Sequence, residues 1–298
     1  MERSILTIGI TAFNSGSYLQ DAIDSVLEQN NAKWKGVLVL DGGADWKTKK
    51  IFNNFQHSKF EKFQFRSNQG PYGTRVKAIE MTKTEWYYQL DGDDLLPKNS
   101  VDDIISTIKD NPDAEYIFGD CEKFSKTNSF IRKPYTDEEM LCYSTLFNAQ
   151  SPIKKDLYTK IGGYDRDLFI NADWDFWLSV HENKIKGAYT GSLVYSQRKR
   201  KNNIGHTHIQ MRPKNVSLII KKHRKYFNNI VRKNKARFYV NEILARYYRS
   251  IGDRNKAVVY AKKAMEYGEI NPVLSSIFEE SEMNIFRYLI RRIVNKAL

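Results

Sequence analysis

The stretch "WYYQLDGDDLLP" contains the chemistry most worth explaining. An aromatic, apolar run at residues 86–90 is good strand material, and it ends in three carboxylates, Asp91, Asp93 and Asp94. Carboxylates are hard oxygen ligands suited to Mg2+ or Mn2+. A few protein oxygens plus a diphosphate can complete the shell of such an ion. A bare Asp-x-Asp is more often a solvated acidic turn, here one that would cap the helix after Pro97. Its position at a strand end favours a metal-bridged nucleoside diphosphate.

Two further acids stand out. "VLVLDGG" ends a buried strand in Asp41 and two glycines. Glycines let a ligand approach the backbone, and the carboxylate can accept from a base or ribose; the plain alternative is an ordinary strand-to-helix turn. Asp173, in "NADWDFWL", opens an amphipathic helix beside Trp174 and Trp177. A carboxylate against apolar walls suits a general base; the plain alternative is a helix cap. Asp175, two residues on, points to another side of the helix.

The elements that must position these acids alternate along the first 120 residues. "ILTIGI", "GVLVL", "KFQFRS", "WYYQL" and "AEYIFGD" have strand character. "SYLQDAIDSVLEQ", "WKTKKIFNNF", "TRVKAIEMT" and "NSVDDIISTIKD" have helical spacing. This βαβα order predicts an α/β fold with a mostly parallel sheet flanked by helices. Ligands of such sheets bind beyond the carboxyl ends of the strands. The segment Thr11, Ala12, Phe13, Asn14 should therefore share one edge with Asp41 and with residues 91–94. Residues 121–200 are less regular, with "GAYTGSLVYSQRK" a further strand. After residue 212 the chain is helical, and "LARYYRSIGDRNKAVVYAKKAMEYG" resembles a single helical hairpin of the tetratricopeptide type. A last amphipathic helix is expected in "MNIFRYLIRRIVNKAL". The domain division is expected at 1–211 and 212–298.

The charge is uneven. Of 48 Lys and Arg, 14 lie in residues 197–241 with no acid among them, leaving 34 basic against 35 acidic residues elsewhere. That basicity needs a local explanation. Residues 198–201 could close over a diphosphate as a lid. "KKHRKYFNNIVRKNKARF" could rest on anionic lipid headgroups, against the plain reading of a solvated helical face. No nucleic-acid module is present, and nucleic acid is not expected as a partner. No run approaches bilayer-spanning length, and the N-terminal apolar run is too short for a secretion signal. The two cysteines, Cys121 and Cys142, resemble no metal knuckle. The expected location is the cytoplasm or the inner face of the cell membrane.

Taken together, "TAFN", "LDGG", "NQGPYGTRVKAI", "LDGDDLLP" and "GGYDRDLFINADWDFWL" closely resemble, in order and spacing, the family 2 glycosyltransferases, many of which assemble bacterial polysaccharides. The resemblance covers roughly residues 4–205. It implies the GT-A fold, a nucleotide-diphosphate sugar donor (a UDP-sugar favoured), and a glycan or polyprenyl-diphosphate-linked acceptor. Thr11, Ala12, Phe13 and Asn14 would wrap the base, Asp41 would bond base or ribose, and Arg75 and Gly92 would lie by the nucleotide. Asp91 would meet ribose or metal, Asp93 would bind the Mg2+ or Mn2+, and Asp173 would be the base of an inverting displacement. Trp174 and Arg198 are candidates for acceptor wall and lid. Relatives often add a metal-binding His from a basic loop, and His206 is preferred here over His208. Two departures stand out: Ala172 where a Glu is usual, and Val76 where an Asn is usual. Two other functions compete. A sugar-phosphate nucleotidyltransferase would need a glycine-rich basic loop after the first strand, which "TAFNSGSYLQ" lacks. A noncatalytic scaffold is disfavoured by the retention of Asp41, Asp91, Asp93 and Asp173.

Overall fold

The structure, a computed structural model, describes residues 4–135, 141–200 and 207–280. His206, Lys201 and the expected C-terminal amphipathic helix lie outside the described residues. The chain divides into two compact units, Met1–Leu141 with Thr145–Lys201, and Cys142–Ser144 with Asn202–Leu298.

In the first unit, β1 (Leu6–Ala12), β2 (Trp34–Leu40), β3 (Phe60–Gln64), β4 (Trp86–Asp91), β5 (Tyr116–Phe124), β6 (Ser129–Arg132), β7 (Ile153–Lys154) and β8 (Gly187–Arg198) form one sheet. The path is β3-β2-β1-β4-β7-β5-β6, with β8 on β5. Neighbours among β1 to β4 pair in parallel, as do β5 and β8, while β6 and β7 run against them. β4, β5 and β8 thus all point the same way, and the mostly parallel α/β sheet expected from the sequence is present. The two antiparallel strands were not anticipated. β7 is only two residues long and β6 is mostly exposed, so neither shows a burial pattern a reader of sequence could use.

Helices α1 (Tyr18–Leu27), α2 (Trp46–Asn54), α3 (Gly70–Met81), α4 (Ser100–Asp110), α5 (Lys155–Lys160) and α6 (Ala172–Glu182) belong to this unit. All seven residues of β1 are buried, as expected for a central strand covered on both faces. Side chains alternate between two cores, because successive strand residues face opposite ways. Leu38 and Leu40 join Ile8, Ile10, Ile23 and Ile104 on one face; Val37 and Val39 join Tyr87, Ile79, Phe176 and Trp177 on the other.

The second unit is helical. Its helices are α7 (Arg212–Lys222), α8 (Ile230–Ser250), α9 (Arg254–Met265) and α10 (Pro272–Glu280). Gly252, at φ +81°, turns the chain between α8 and α9, and the Asp253 carboxylate caps α9 by accepting from Lys256 N. Leu244, Tyr248, Ala257, Ala261 and Phe278 are buried there. Neither cysteine is in a disulfide, and both are buried.

Gly42, just past β2, is the tightest backbone approach near the carboxyl edge. A Cβ added there would stand 2.3 Å from the carbonyl carbon and 2.5 Å from the Cα of Ser67. Backbone cannot yield as a side-chain tip can, so Gly42→Ala is expected to destabilise the protein by about 1–3 kcal/mol, the usual cost of overpacking. The midpoint of urea unfolding checks it.

Candidate active site

The sheet register brings the predicted residues to one edge. Ala12 lies opposite Leu40, the last residue of β2, and Thr11 lies opposite Asp91, the last of β4. Two backbone bonds close the gaps beyond the strands: Gly92 N donates to Thr11 O (2.8 Å), and Asp41 N donates to Ala12 O (3.0 Å). Phe13 follows, 42% exposed. Asn14 adopts φ +49°, a region Asn tolerates better than most residues. Its side-chain oxygen accepts from Asp45 N at 2.7 Å.

Asp41 is 1% exposed. Its Oδ1 accepts from Gly42 N (2.8 Å) and Gln69 N (2.7 Å), and its Oδ2 from Gly70 N (3.0 Å). Burial raises this carboxyl above the ordinary aspartate range, opposed by those amide bonds. Gln69 and Gly70 are the cap and first residue of α3, whose free N–H groups favour a negative charge. Asp41 therefore binds the end of β2 to the start of α3.

That helix carries two side chains three positions apart, hence on one face. Tyr72 OH donates to Asp173 Oδ1 at 3.0 Å. Arg75 Nη2 donates to both oxygens of Asp91, at 2.9 and 2.8 Å. Asp91 also accepts from Gln89 Nε2 (3.0 Å) and Gln150 Nε2 (2.9 Å). Arg75 Nε is buried with no hydrogen-bond partner among the described residues. Asp173 sits in the first turn of α6, after Asn171 turns the chain in left-handed conformation at φ +70°. Burial, and then the charge of Asp173, push the Tyr72 hydroxyl well above its ordinary range, so it remains a donor. Trp174 lies in the core, 4% exposed, its indole N–H donating to Leu141 O at 2.7 Å. Asp175 is fully buried.

The other two acids of the turn are held by β8 and its continuation. Asp94 is buried; its Oδ2 accepts from Tyr195 OH (2.8 Å) and its Oδ1 from Arg198 N (2.7 Å). Burial, with the negative charges of Asp93 and Asp91, raises its carboxyl well above the usual range. Asp93 Oδ2 accepts from Arg200 Nη1 at 2.8 Å, and Asp93 O from Arg198 Nε at 2.9 Å. Burial raises the Asp93 carboxyl, the Arg200 hydrogen bond opposes this, and Asp91 adds to it. Arg198 further pairs with Asp21 at 3.0 Å and lies over the rings of Tyr18 and Phe124.

The donor chemistry here fits a hard divalent cation: aspartates crowd one turn, and Asp93 already holds a cationic group. Among the described residues no three His, Cys, Asp or Glu side chains converge as a ready cage, so a cation would draw remaining oxygens from ligand or water. Gln89, Tyr72, Gln150 and Tyr195 join the site without having been anticipated. Gln89 was readable, since it lies two residues before Asp91 on the same strand face, and so was Tyr72, one turn before Arg75. Gln150 and Tyr195 gave no such signal.

Residues 7–172 match the model for glycosyl transferase family 2. An uncharacterized glycosyltransferase of Haemophilus influenzae is 21% identical over 184 residues, which span 59% of this chain and 62% of that relative's length. A PGL/p-HBAD biosynthesis glycosyltransferase of Mycobacterium bovis is 23% identical, spanning 61% of this chain and 72% of the relative. The S. aureus TarS 1-349 structure in complex with UDP-GlcNAc superposes with a TM-score of 0.60 at 12% identity, covering 93% of this chain and 91% of that one. The mannosyltransferase PcManGT of Pyrobaculum calidifontis, in complex with GDP-Man and Mn2+, gives 0.56 at 13% identity, covering 95% and 81%. These structures share the fold.

Asp41→Asn retains one acceptor oxygen and sets an NH2 group against backbone N–H donors. It is expected to cost about 1–3 kcal/mol, lowering the melting temperature by several degrees in differential scanning calorimetry.

Proposed function

Since the chain belongs to glycosyl transferase family 2, we propose that it moves a sugar from a nucleoside-diphosphate sugar to a hydroxyl of a glycan or lipid-linked acceptor. The observation that carries this reading is the double grip of α3: one face holds Asp173 through Tyr72 and Asp91 through Arg75. A base and a diphosphate-side acid are thereby set by a single rigid element, which is the orientation a displacement reaction needs.

The donor's base and ribose would lie against residues 11–14 and the Asp41 turn, with its diphosphate over residues 91–93. Asp93, with Asp91, would hold Mg2+ or Mn2+, which when bound supplies positive charge for the departing diphosphate. Asp173 takes the proton of the acceptor hydroxyl. That oxygen attacks the anomeric carbon opposite the nucleotide, the carbon–oxygen bond to the diphosphate breaks, and the configuration inverts. Tyr72 holds the Asp173 carboxylate in place, and its hydrogen bond leaves the second carboxylate oxygen for the acceptor. No second carboxyl is needed as acid, because the diphosphate is a good leaving group. The nucleotides bound by neighbours of the same fold support a UDP- or GDP-sugar, UDP being preferred.

The second unit suits contact with anionic lipid headgroups. Exposed Lys221, Arg224 and Lys225 stand near exposed Ile230 and Val231 in the sequence, a mixture of cation and apolar tip that membrane surfaces attract. No helix among the described residues is long and apolar enough to cross a membrane. The protein would work on the cytoplasmic face, on a membrane-borne acceptor.

A melting screen with UDP-, GDP- and dTDP-sugars, with and without Mn2+, tests the donor site. Saturation by the right donor should raise the transition by several degrees, since ligand at 100 times its Kd adds about 2.7 kcal/mol. No stabilisation by any nucleotide sugar under any metal condition would remove the donor assignment. With that donor in hand, Asp173→Asn should keep the melting shift yet slow release of the nucleoside diphosphate by roughly 10²- to 10⁴-fold. Release at the wild-type rate would remove Asp173 as the base.

A further inference from the structure

Arg200 touches two parts of the site at once. Its Nη1 donates to Asp93 Oδ2 at 2.8 Å, and its Nη2 donates to Asn14 O at 3.1 Å. One guanidinium therefore bridges the acidic turn after β4 and the turn after β1. These are the two places where the metal and the base of the donor are expected. Its neighbour Arg198 is fastened differently: its backbone N–H is bound to Asp94, its Nε to Asp93 O and its Nη2 to Asp21, with its guanidinium over Tyr18 and Phe124. Arg200 has fewer ties, adding to its two bonds only a looser position over the Tyr18 ring, 5.5 Å from the centroid against 4.3 Å for Arg198. Its pair with Asp93 is partly open to solvent, at 27% and 25% side-chain exposure, and such pairs are readily exchanged.

We infer that Arg200 is an exchangeable counter-ion, which occupies Asp93 in the free protein and passes to the donor diphosphate when a divalent cation takes its place. This rests on the metal and donor reading above and adds a step to it. The physical reason is charge. A dication approaching Asp93 Oδ2 meets a fixed positive group 2.8 Å from that oxygen, and the two repel in a partly buried setting. Without Arg200, the turn would hold its clustered carboxylates with one cation fewer. With the diphosphate present, the guanidinium has a better partner, since its planar fork matches phosphate oxygens in pairs. Leaving Asp93 also releases Asn14 O, so opening the metal position and opening the base-side turn are one movement. Binding of metal and of nucleotide should consequently be cooperative. The lid role expected of the basic stretch falls to Arg200, while Arg198 serves as its fixed hinge post.

The experiment titrates Mn2+ into the full-length protein without nucleotide, counting free ion by electron paramagnetic resonance, for wild type, Arg200→Gln and Asp93→Asn. Arg200→Lys, which keeps the charge, is the conservative control, and circular dichroism confirms folding. Arg200→Gln should bind Mn2+ about two- to fivefold more tightly than wild type, the range for loss of one partly exposed competing ion pair. Arg200→Lys should stay near wild type, and Asp93→Asn should lose the ion. With Mn2+ saturating, UDP should bind Arg200→Gln several-fold more weakly than wild type. Equal Mn2+ affinity in wild type and Arg200→Gln overturns the counter-ion role. Mn2+ bound by none of the proteins overturns instead the metal reading beneath it.

Discussion

Three carboxylates within four residues of chain cannot share a partly buried turn unless each finds its own compensation, and the site is organised around that requirement. Each acid is met by a different part of the fold. Asp91 is met by Arg75 from α3, with Gln89 and Gln150 adding neutral donors. Asp94 is met by Tyr195 and a backbone amide at the end of β8. Asp93 is met by Arg200, beyond the last strand. Through the Arg75 pair and the Tyr195 bond, the acidic turn ties α3 and β8 to the end of β4. Asp93, met by one guanidinium, has the fewest partners at its carboxylate of the three.

Helix α3 transmits this order to the rest of the site. Asp41 anchors its start through two backbone N–H bonds, from Gln69 and Gly70. One turn on, Tyr72 and Arg75 reach in two directions, to the carboxylate of α6 and to the carboxylate of β4. A displacement of the start of α3 would move both contacts together. Asp41, one of the acids expected at the nucleotide, is thus also the residue that fixes where the helix begins. Its carboxylate is enclosed because a strand end, a glycine turn and a helix start converge on it.

The layout of the sheet was legible because burial imposes a period. The buried strands β1, β2 and β4 read as apolar runs, β3, β5 and β8 read as stretches rich in aromatic and β-branched residues, and the helices between them read at helical spacing, so β1 to β5, β8 and α1 to α4 were all recognisable. β6 and β7 were not. Four and two residues long, they exist because a sheet edge and a gap between β4 and β5 are there to pair with, which is a property of the assembled sheet. The same division runs through the site. Asp41, Asp91, Asp93 and Asp173 could be chosen from residue type and position. Tyr72 and Gln89 were within reach of the helix and strand periods. Gln150 lies 59 residues from Asp91, and Tyr195 lies 101 from Asp94; no local rule joins them.

Sequence by itself determined the α/β class, the sheet edge at which the acids gather and which acids those are. These follow from local periodicity and from where charge interrupts apolar strands. Only the tertiary structure decided what each acid touches. It enclosed Asp41 in backbone amides, paired Asp91 with Arg75, buried Asp94 and Trp174, and left Asp93 against the partly exposed guanidinium of Arg200. The reason is that a carboxylate's role depends on which donors reach it and how much water remains. Both are set by contacts between segments far apart in the chain.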